Sequence, residues 1–412
     1  MTGTPAVPAR FGRTEGWEPP SGPQVFEPGS LDGTARRLLR SSFSYLMPES
    51  GDWMEYLFAR LFVAHPDLRG LFPLGMARTR SAVHEMLARL VWTLDQSEET
   101  DKLLSQIARD HRKFGVRDKH YQSFFDALVA TVEVAAGPEW TSETAAAWQA
   151  AVGYFRTVMS AAAAQDAKSQ PAWWVGEVVQ HERRTPTIAV LTIRPDKPLS
   201  YLAGQYAWVQ VPRWPRLWRR YSIANPPREN GLIDLHVRAI PGGAVSTALV
   251  AHSGPGDSVV LGAPRGHLRL PADPERDIVC VAGGTGLAPV KAITEAVIST
   301  VRPGRRRAIT VYVGARTADE LYDMRDLQTL RLAYPPFTLV PVTEHGEVDG
   351  GQTGRLAEVV AAHSSFRDTD VYVSGPAGLV SEVRRVLTGR VAPERLHHDP
   401  LEALEAASRR PA

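Results

Sequence analysis

The chain has 412 residues, 43% of them hydrophobic and 22% charged, which is the balance of a globular protein with two or three domains. A formal net charge of only +2 argues against a dedicated nucleic-acid surface, and the single cysteine, Cys280, excludes internal disulfides, cysteine-rich zinc sites and an all-cysteine iron–sulfur cluster. No apolar run nears the ~18 residues of a membrane span, and the N-terminus lacks an apolar signal core, so a cytoplasmic setting with no membrane span is expected.

Residues 1–30 are rich in Pro and Gly without hydrophobic periodicity and read as a disordered tail. Residues 31–168 carry a helical pattern. "WMEYLFARLFVAHPDL" sets Met54, Leu57, Phe58, Leu61 and Phe62 on one face, and "SAVHEMLARLVWTL" repeats that spacing. "KLLSQIARDHRKFG" should stop at the C-cap glycine Gly115, and Asp118 should cap the next helix. A last helix near 142–166 completes an all-α domain of about six helices.

At "QPAWWVGEVVQ" the texture changes. "TIAVLTI", "YAWVQV", "LIDLHVRAI" and "DSVVLG", separated by Gly/Pro turns, predict a small antiparallel barrel over 172–272. From 273 to 398 the buried-type strands "DIVCVAGG", "AITVYVGA", "FTLVPV" and "DVYVSGP" alternate with helices, which predicts a parallel α/β domain. The basic run 302–307 reads as a solvated loop, and 399–412 as a C-terminal tail.

"VCVAGGTGLAPVKAITEAVIST" is a strand, a tight glycine turn and a helix. Gly283, Gly284 and Gly286 let the backbone approach a pyrophosphate at the helix N-terminus. A third fingerprint glycine would fall at 289, where Pro289 suits the first helical turn instead. Alone the turn could be purely structural. A second strand ending in Gly-Pro, "VYVSGPAGL" (371–379), should open on the same C-terminal sheet edge.

"RRYSIANPP" (219–227), with "AGQYAWV", "GGAVS" and "GGTGLAP" in that order, resembles the ferredoxin–NADP reductase superfamily across 172–398. The resemblance implies that Arg219 holds the FAD pyrophosphate, that Tyr221 packs on the isoalloxazine and that Ser222 bonds near its reactive nitrogen. It sets Gln205 and Tyr206 in the flavin site and Gly243 and Ser246 against the flavin phosphates. It lines the nicotinamide site with Gly283, Gly284, Thr285, Gly286, Pro289, Ser374, Gly375 and Pro376. A guanidinium suits a phosphate pair and an aromatic face suits a planar ring, so the chemistry agrees. The family often has Cys where this chain has Ser374. A single arginine, Arg316, follows the second strand of this domain; the reading leans to NADH and leaves NADPH open.

A flavin accepts a hydride and can release single electrons, so a one-electron acceptor must follow. Leu103, Leu104, Ile107, Ala108 and His111 form one helical stripe, while His120 sits in a helix start and reads as exposed. On residues alone, His111 is either a packed core residue or a ligand. Upstream, Phe62, Ala64, His65, Pro66, Leu68, Leu71 and Phe72, followed by His111, Phe114, Gly115 and Tyr121 and then by "AAAWQAAVGYF", resemble the globin domain of flavohaemoglobins over 36–165. That resemblance implies haem b with His111 as the iron ligand, Phe72 against the porphyrin and Tyr121 in the proximal shell.

This chain departs from the family pattern around the haem. Phe58 stands where flavohaemoglobins usually have Tyr, and Thr79 (or Ala82) where they have Gln. Ala163 replaces the proximal Glu. His84 on the distal helix is either a substitute donor or sixth ligand, or a partly buried helix residue. The lost hydroxyl removes a hydrogen bond of ~1.5–3 kcal/mol to a charged group. The expectation is a flavohaem oxidoreductase acting on NO and O₂, a nitric oxide dioxygenase. Its rivals are a reductase serving a partner oxygenase or other acceptor, and a haem-based gas or redox sensor.

Overall fold

The computed structural model describes residues 31–46, 52–270, 276–300, 307–363 and 365–400. The tail read at 1–30, residues 401–412 and loop residues 302–306 lie outside them. Two units meet at Ala172/Trp173, and each is taken by itself.

Among the described residues of the first unit are six α-helices: α1 (Gly33–Ser44), α2 (Asp52–Ala64), α3 (Ala77–Trp92), α4 (Ser97–His111), α5 (Asp118–Ala136) and α6 (Ser142–Ser169). Of the predicted stripe of α2, Met54, Leu57, Phe58 and Leu61 are in the core and Phe62 is half-buried against it. Asp32 caps α1 by accepting from Ala35 N–H at 2.7 Å, and Thr141 caps α6 by accepting from Thr144 N–H at 3.1 Å. The buried Trp148 Nε1 donates to Ser42 Oγ at 2.9 Å and ties α6 to α1.

Gly115 ends its segment as expected, but two local expectations, at Asp118 and His120, need correction. Helix α4 stops at His111; one tight turn, Arg112–Phe114, then leads to Gly115 at φ 76°, the left-handed residue that ends the segment. Asp118 does not cap α5 but is its first residue, and its carboxylate holds Arg156 at 3.0 Å. The capping contact comes from His120, whose Nδ1 accepts Arg117 N–H at 3.1 Å, so His120 is half-buried rather than exposed.

The second unit begins with an antiparallel sheet of β1 (Trp174–Arg183), β2 (Ile188–Pro195), β3 (Tyr206–Gln210), β4 (Arg219–Ser222), β5 (Ile233–Arg238) and β6 (Ser258–Leu261), ordered β4-β3-β6-β1-β2-β5. A single bridge between Ile223 and Leu235 brings its two ends together, so the sheet is a nearly closed barrel. Helix α7 (Ala244–Ala251), unforeseen in the apolar run "AVSTALVA", packs onto it. Along β5, Ile233, Leu235 and Val237 fill the barrel core while Asp234, His236 and Arg238 form the opposite row.

The remaining sheet is wholly parallel: β7 (Asp277–Gly283), β8 (Ile309–Ala315), β9 (Phe337–Thr343), β10 (Gln352–Thr353), β11 (Thr369–Ser374) and β12 (Leu396–His397), ordered β10-β9-β8-β7-β11-β12. Helices α8 (Leu287–Thr300), α9 (Met324–Ala333), α10 (Leu356–Ala361) and α11 (Ala377–Leu387) connect the strands. The chain runs outward from β7 to β8 and β9, then returns to place β11 on the other side of β7. That reversal opens a crevice at the carboxyl ends of β7 and β11.

Candidate functional site

A cavity of about 790 Å³ occupies that crevice. The glycine turn after β7 and the Gly-Pro turn after β11 both line it, as expected of two turns on one sheet edge. They touch: a Cβ on Gly286 would lie 2.4 Å from Ser374 O, and one on Gly283 would lie 2.4 Å from Leu379 Cδ2. Gly284 holds φ +54°, and a Cβ there would meet the Arg238 guanidinium at 3.0 Å. At Gly286 the contact is with backbone, so only glycine lets these two turns come so close. Pro289 is buried in the first turn of α8.

Across the cavity, β4 supplies Arg220, Tyr221 and Ser222 to the wall. The Tyr221 phenol is pushed well above its ordinary pKa, chiefly by burial, and stays neutral. Arg220 lies 5.4 Å over the Tyr206 ring, and Arg219 donates to Trp218 O at 2.9 Å. Gln205 is buried and accepts Leu202 N–H at 2.8 Å. Ser246 Oγ donates to Gly243 O at 3.2 Å, in the first turn of α7 and behind the cavity-lining Ile240 and Pro241.

Sequence reasoning missed several wall residues: Arg220, His236, Arg238, Glu320, Glu344 and Asp399. The signal for two of them was present, since "IDLHVR" alternates strictly and its polar row had to face something. Asp399 carries a carboxyl raised by burial, an effect partly opposed by Arg220 and His267. Arg316, at the far end of the same wall, is paired with Glu320 at 2.8 Å.

In the helical unit, the rings of Phe58, Phe62 and Phe72 meet at 5.3–5.8 Å centroid separations. His111 stacks on Tyr121 at 5.9 Å, and burial pulls its pKa down to about 4, so the imidazole is neutral at pH 7. Its Nδ1 is sealed from solvent without a hydrogen-bond partner. Among the described residues no group of three or more His, Cys, Asp or Glu could hold a metal ion. A single neutral imidazole beside the Tyr121 and Phe114 rings suits an iron already held by a porphyrin. His84 lies elsewhere: its ring packs 5.4 Å from Trp53, with its Nδ1 also sealed and unpartnered. Thr79 is half-buried in the first turn of α3. Ala163 lies one turn before Asp166, which holds Arg112, the neighbour of His111.

Comparison with known proteins agrees with this division. Residues 55–159 match the globin family model, 177–270 the oxidoreductase FAD-binding domain and 280–385 the oxidoreductase NAD-binding domain. The NAD(P)H-flavin reductase of Aliivibrio fischeri is 30% identical over 204 residues, covering 48% of this chain and 84% of that protein. The xylene/toluene monooxygenase electron transfer component of Pseudomonas putida is 31% identical over 207 residues, 49% of this chain; the chain spans only 58% of that relative's length. The crystal structure of flavohaemoglobin from Malassezia yamatoensis with bound FAD and haem has the same fold. It aligns at a TM-score of 0.71 and 17% identity, covering 89% of this chain and 98% of that one.

Fold and site thus define an oxidoreductase with FAD- and NAD-binding modules joined to a globin. Its second unit places the chain in the NAD(P)H-flavin reductase family, and as a whole the chain has a globin, an FAD-binding and an NAD-binding domain in the fold of the Malassezia yamatoensis flavohaemoglobin. Haem, FAD and a nicotinamide dinucleotide are the cofactors of that architecture. Among the described residues no helix is long and apolar enough to cross a membrane.

Proposed function

We propose that the chain passes electrons from NAD(P)H through FAD to haem iron and uses them in nitric oxide dioxygenation, converting NO and O₂ to nitrate. The observation that carries this reading is the neutral, half-buried His111 in a globin fold on the same chain as a glycine-lined cavity. Bound flavin would convert a hydride into single electrons and haem iron would bind the gases. The chain's own residues do the holding. Tyr221 would cover the flavin ring and Ser222 would bond at its edge. Arg219, Gly243 and Ser246 would serve its phosphates. Gly283, Gly284, Thr285 and Gly286, with Ser374, Gly375 and Pro376, would seat the nucleotide, and Arg238 beside Gly284 would meet its pyrophosphate. His111 would hold the iron, Tyr121 would fix the imidazole plane, and the three phenylalanines would exclude water.

NADH is the preferred donor in this reading. Glu320 occupies Arg316, and Glu344 lines the same wall, so a 2′-phosphate would meet carboxylates. The test is nitrate production from NO under aerobic NADH turnover by the holoprotein. Rapid nitrate formation that disappears in His111→Ala supports the reading; NADH consumption without nitrate sinks it. That second outcome would favour a reductase for a separate acceptor, the role printed in the name of the Pseudomonas putida relative.

A further inference from the structure

The seam between the barrel and the parallel-sheet domain carries a charge cluster that the cofactor roles leave unused. Lys291, on α8 just beyond the glycine turn, is buried. Its Nζ lies 2.9 Å from Asp323 Oδ2 and 2.7 Å from Asp326 Oδ2. The same two carboxylates face a barrel residue: Arg184, in the turn between β1 and β2, stands 3.7 Å from Asp323 and 3.4 Å from Asp326, and is anchored by Glu182 at 2.9 Å. A second crossing lies beside it, where His236 Nδ1 and Tyr322 Oη are 2.7 Å apart, and His236 lines the cavity.

Two features show more than a static bridge. Asp323 occupies the N-cap position of α9, where Asp ordinarily accepts a backbone N–H, yet its side chain makes no cap and turns to Lys291 instead. Arg184 Nε, His236 Nε2 and Asp323 Oδ1 are all sealed from solvent without a hydrogen-bond partner. Buried polar groups kept only for stability are normally satisfied. The Arg184 contacts to Asp323 and Asp326, at 3.7 and 3.4 Å, are longer than the usual N–H···O range of 2.7–3.2 Å, so the seam has slack to take up.

We propose that Arg184, acting through Asp323, Asp326 and Lys291, is a positioning residue that sets how closely the nicotinamide ring approaches the flavin. Lys291 stands on the helix whose first turn carries the glycine cradle, so drawing Arg184 onto the carboxylates moves that cradle against the barrel that holds the flavin. The step it serves balances simply. The dihydronicotinamide C–H bond breaks, the hydride passes to the flavin, and NADH is oxidised as FAD is reduced. This inference rests on reading the cavity as the flavin–nicotinamide site.

The test is anaerobic stopped-flow reduction of the full-length holoprotein by NADH. Arg184→Gln should lower the limiting rate of flavin reduction by about ten- to a hundredfold, the scale of a small misplacement of reacting atoms. It should weaken the long-wavelength charge-transfer absorbance of the stacked rings while FAD content and the NADH dissociation constant stay within twofold. Arg184→Lys should restore most of both signals. If Arg184→Gln does not fold, Asp326→Asn, at a partly exposed position, should move rate and absorbance the same way by a smaller factor. An unchanged rate and absorbance in the folded variant, or a change in melting temperature alone, overturns the proposal. Parent protein whose flavin neither NADH nor NADPH reduces would instead overturn the underlying reading of the cavity.

Discussion

Replacing Gly286 with alanine tests the nucleotide cleft most directly. The new methyl would lie 2.4 Å from Ser374 O, 2.5 Å from Ser374 C and 2.6 Å from Gly375 N. Carbon contacts settle at about 3.5 Å or beyond, so the turns after β7 and β11 must part by about 1 Å. Helix α8 cannot retreat, because Leu287, Ala288, Pro289 and Val290 are all buried. The displacement therefore falls on the turns, where the nucleotide would lie. Overpacking of this kind costs about 1–3 kcal/mol, which is about 5- to 150-fold in an equilibrium constant. Ferricyanide reduction by the variant should show an NADH KM raised within that range. FAD content should match the parent, because the β4 residues proposed to hold the flavin are untouched. A KM within twofold of the parent, in folded protein, would refute the idea that this contact shapes the nucleotide site.

Three further substitutions address the other groups. His111→Ala should abolish haem binding and the Soret band while FAD content and NADH–ferricyanide activity persist; an unchanged Soret spectrum would remove His111 as the iron ligand. Glu320→Gln frees Arg316, and the kcat/KM for NADPH relative to NADH should rise by about tenfold, the low end of a charge-assisted hydrogen bond; a constant ratio would place the adenosine end elsewhere. Phe58→Tyr should slow O₂ dissociation from the ferrous protein by about 10- to 150-fold if the new hydroxyl meets the bound gas; an unchanged rate, read by flash photolysis, would mean that position 58 does not face it.

The features legible in the sequence were those set by backbone and by short-range periodicity. The glycine turns announce themselves because Gly284 at φ +54° and the contact of Gly286 with Ser374 leave no room for another residue. The stripe of α2 follows from helical spacing and is buried as expected. Hidden features depend on what packs against what. Helix α7 is an apolar run that periodicity cannot separate from a strand. Asp118 looks like a cap until Arg156, distant in the chain, takes its carboxylate. Arg184 looks like a solvated turn residue, and nothing local reveals that it faces Asp323 across a domain seam.

The two candidate centres treat charge in opposite ways, and that ranks the expected effects. The cavity proposed for the dinucleotide gathers Arg220, Arg238 and Arg316 with Glu320 and Glu344, so removing one charge leaves others to compensate. The globin interior offers Phe58, Phe62 and Phe72, with Phe58 only 3% exposed. In such apolar surroundings a new hydrogen bond meets little competing solvent, so it retains most of its strength. A single hydroxyl at position 58 should therefore alter gas retention by a larger factor than a single charge at position 320 alters nucleotide choice. It should do so with little dependence on salt, whereas the Glu320 effect should shrink as ionic strength rises.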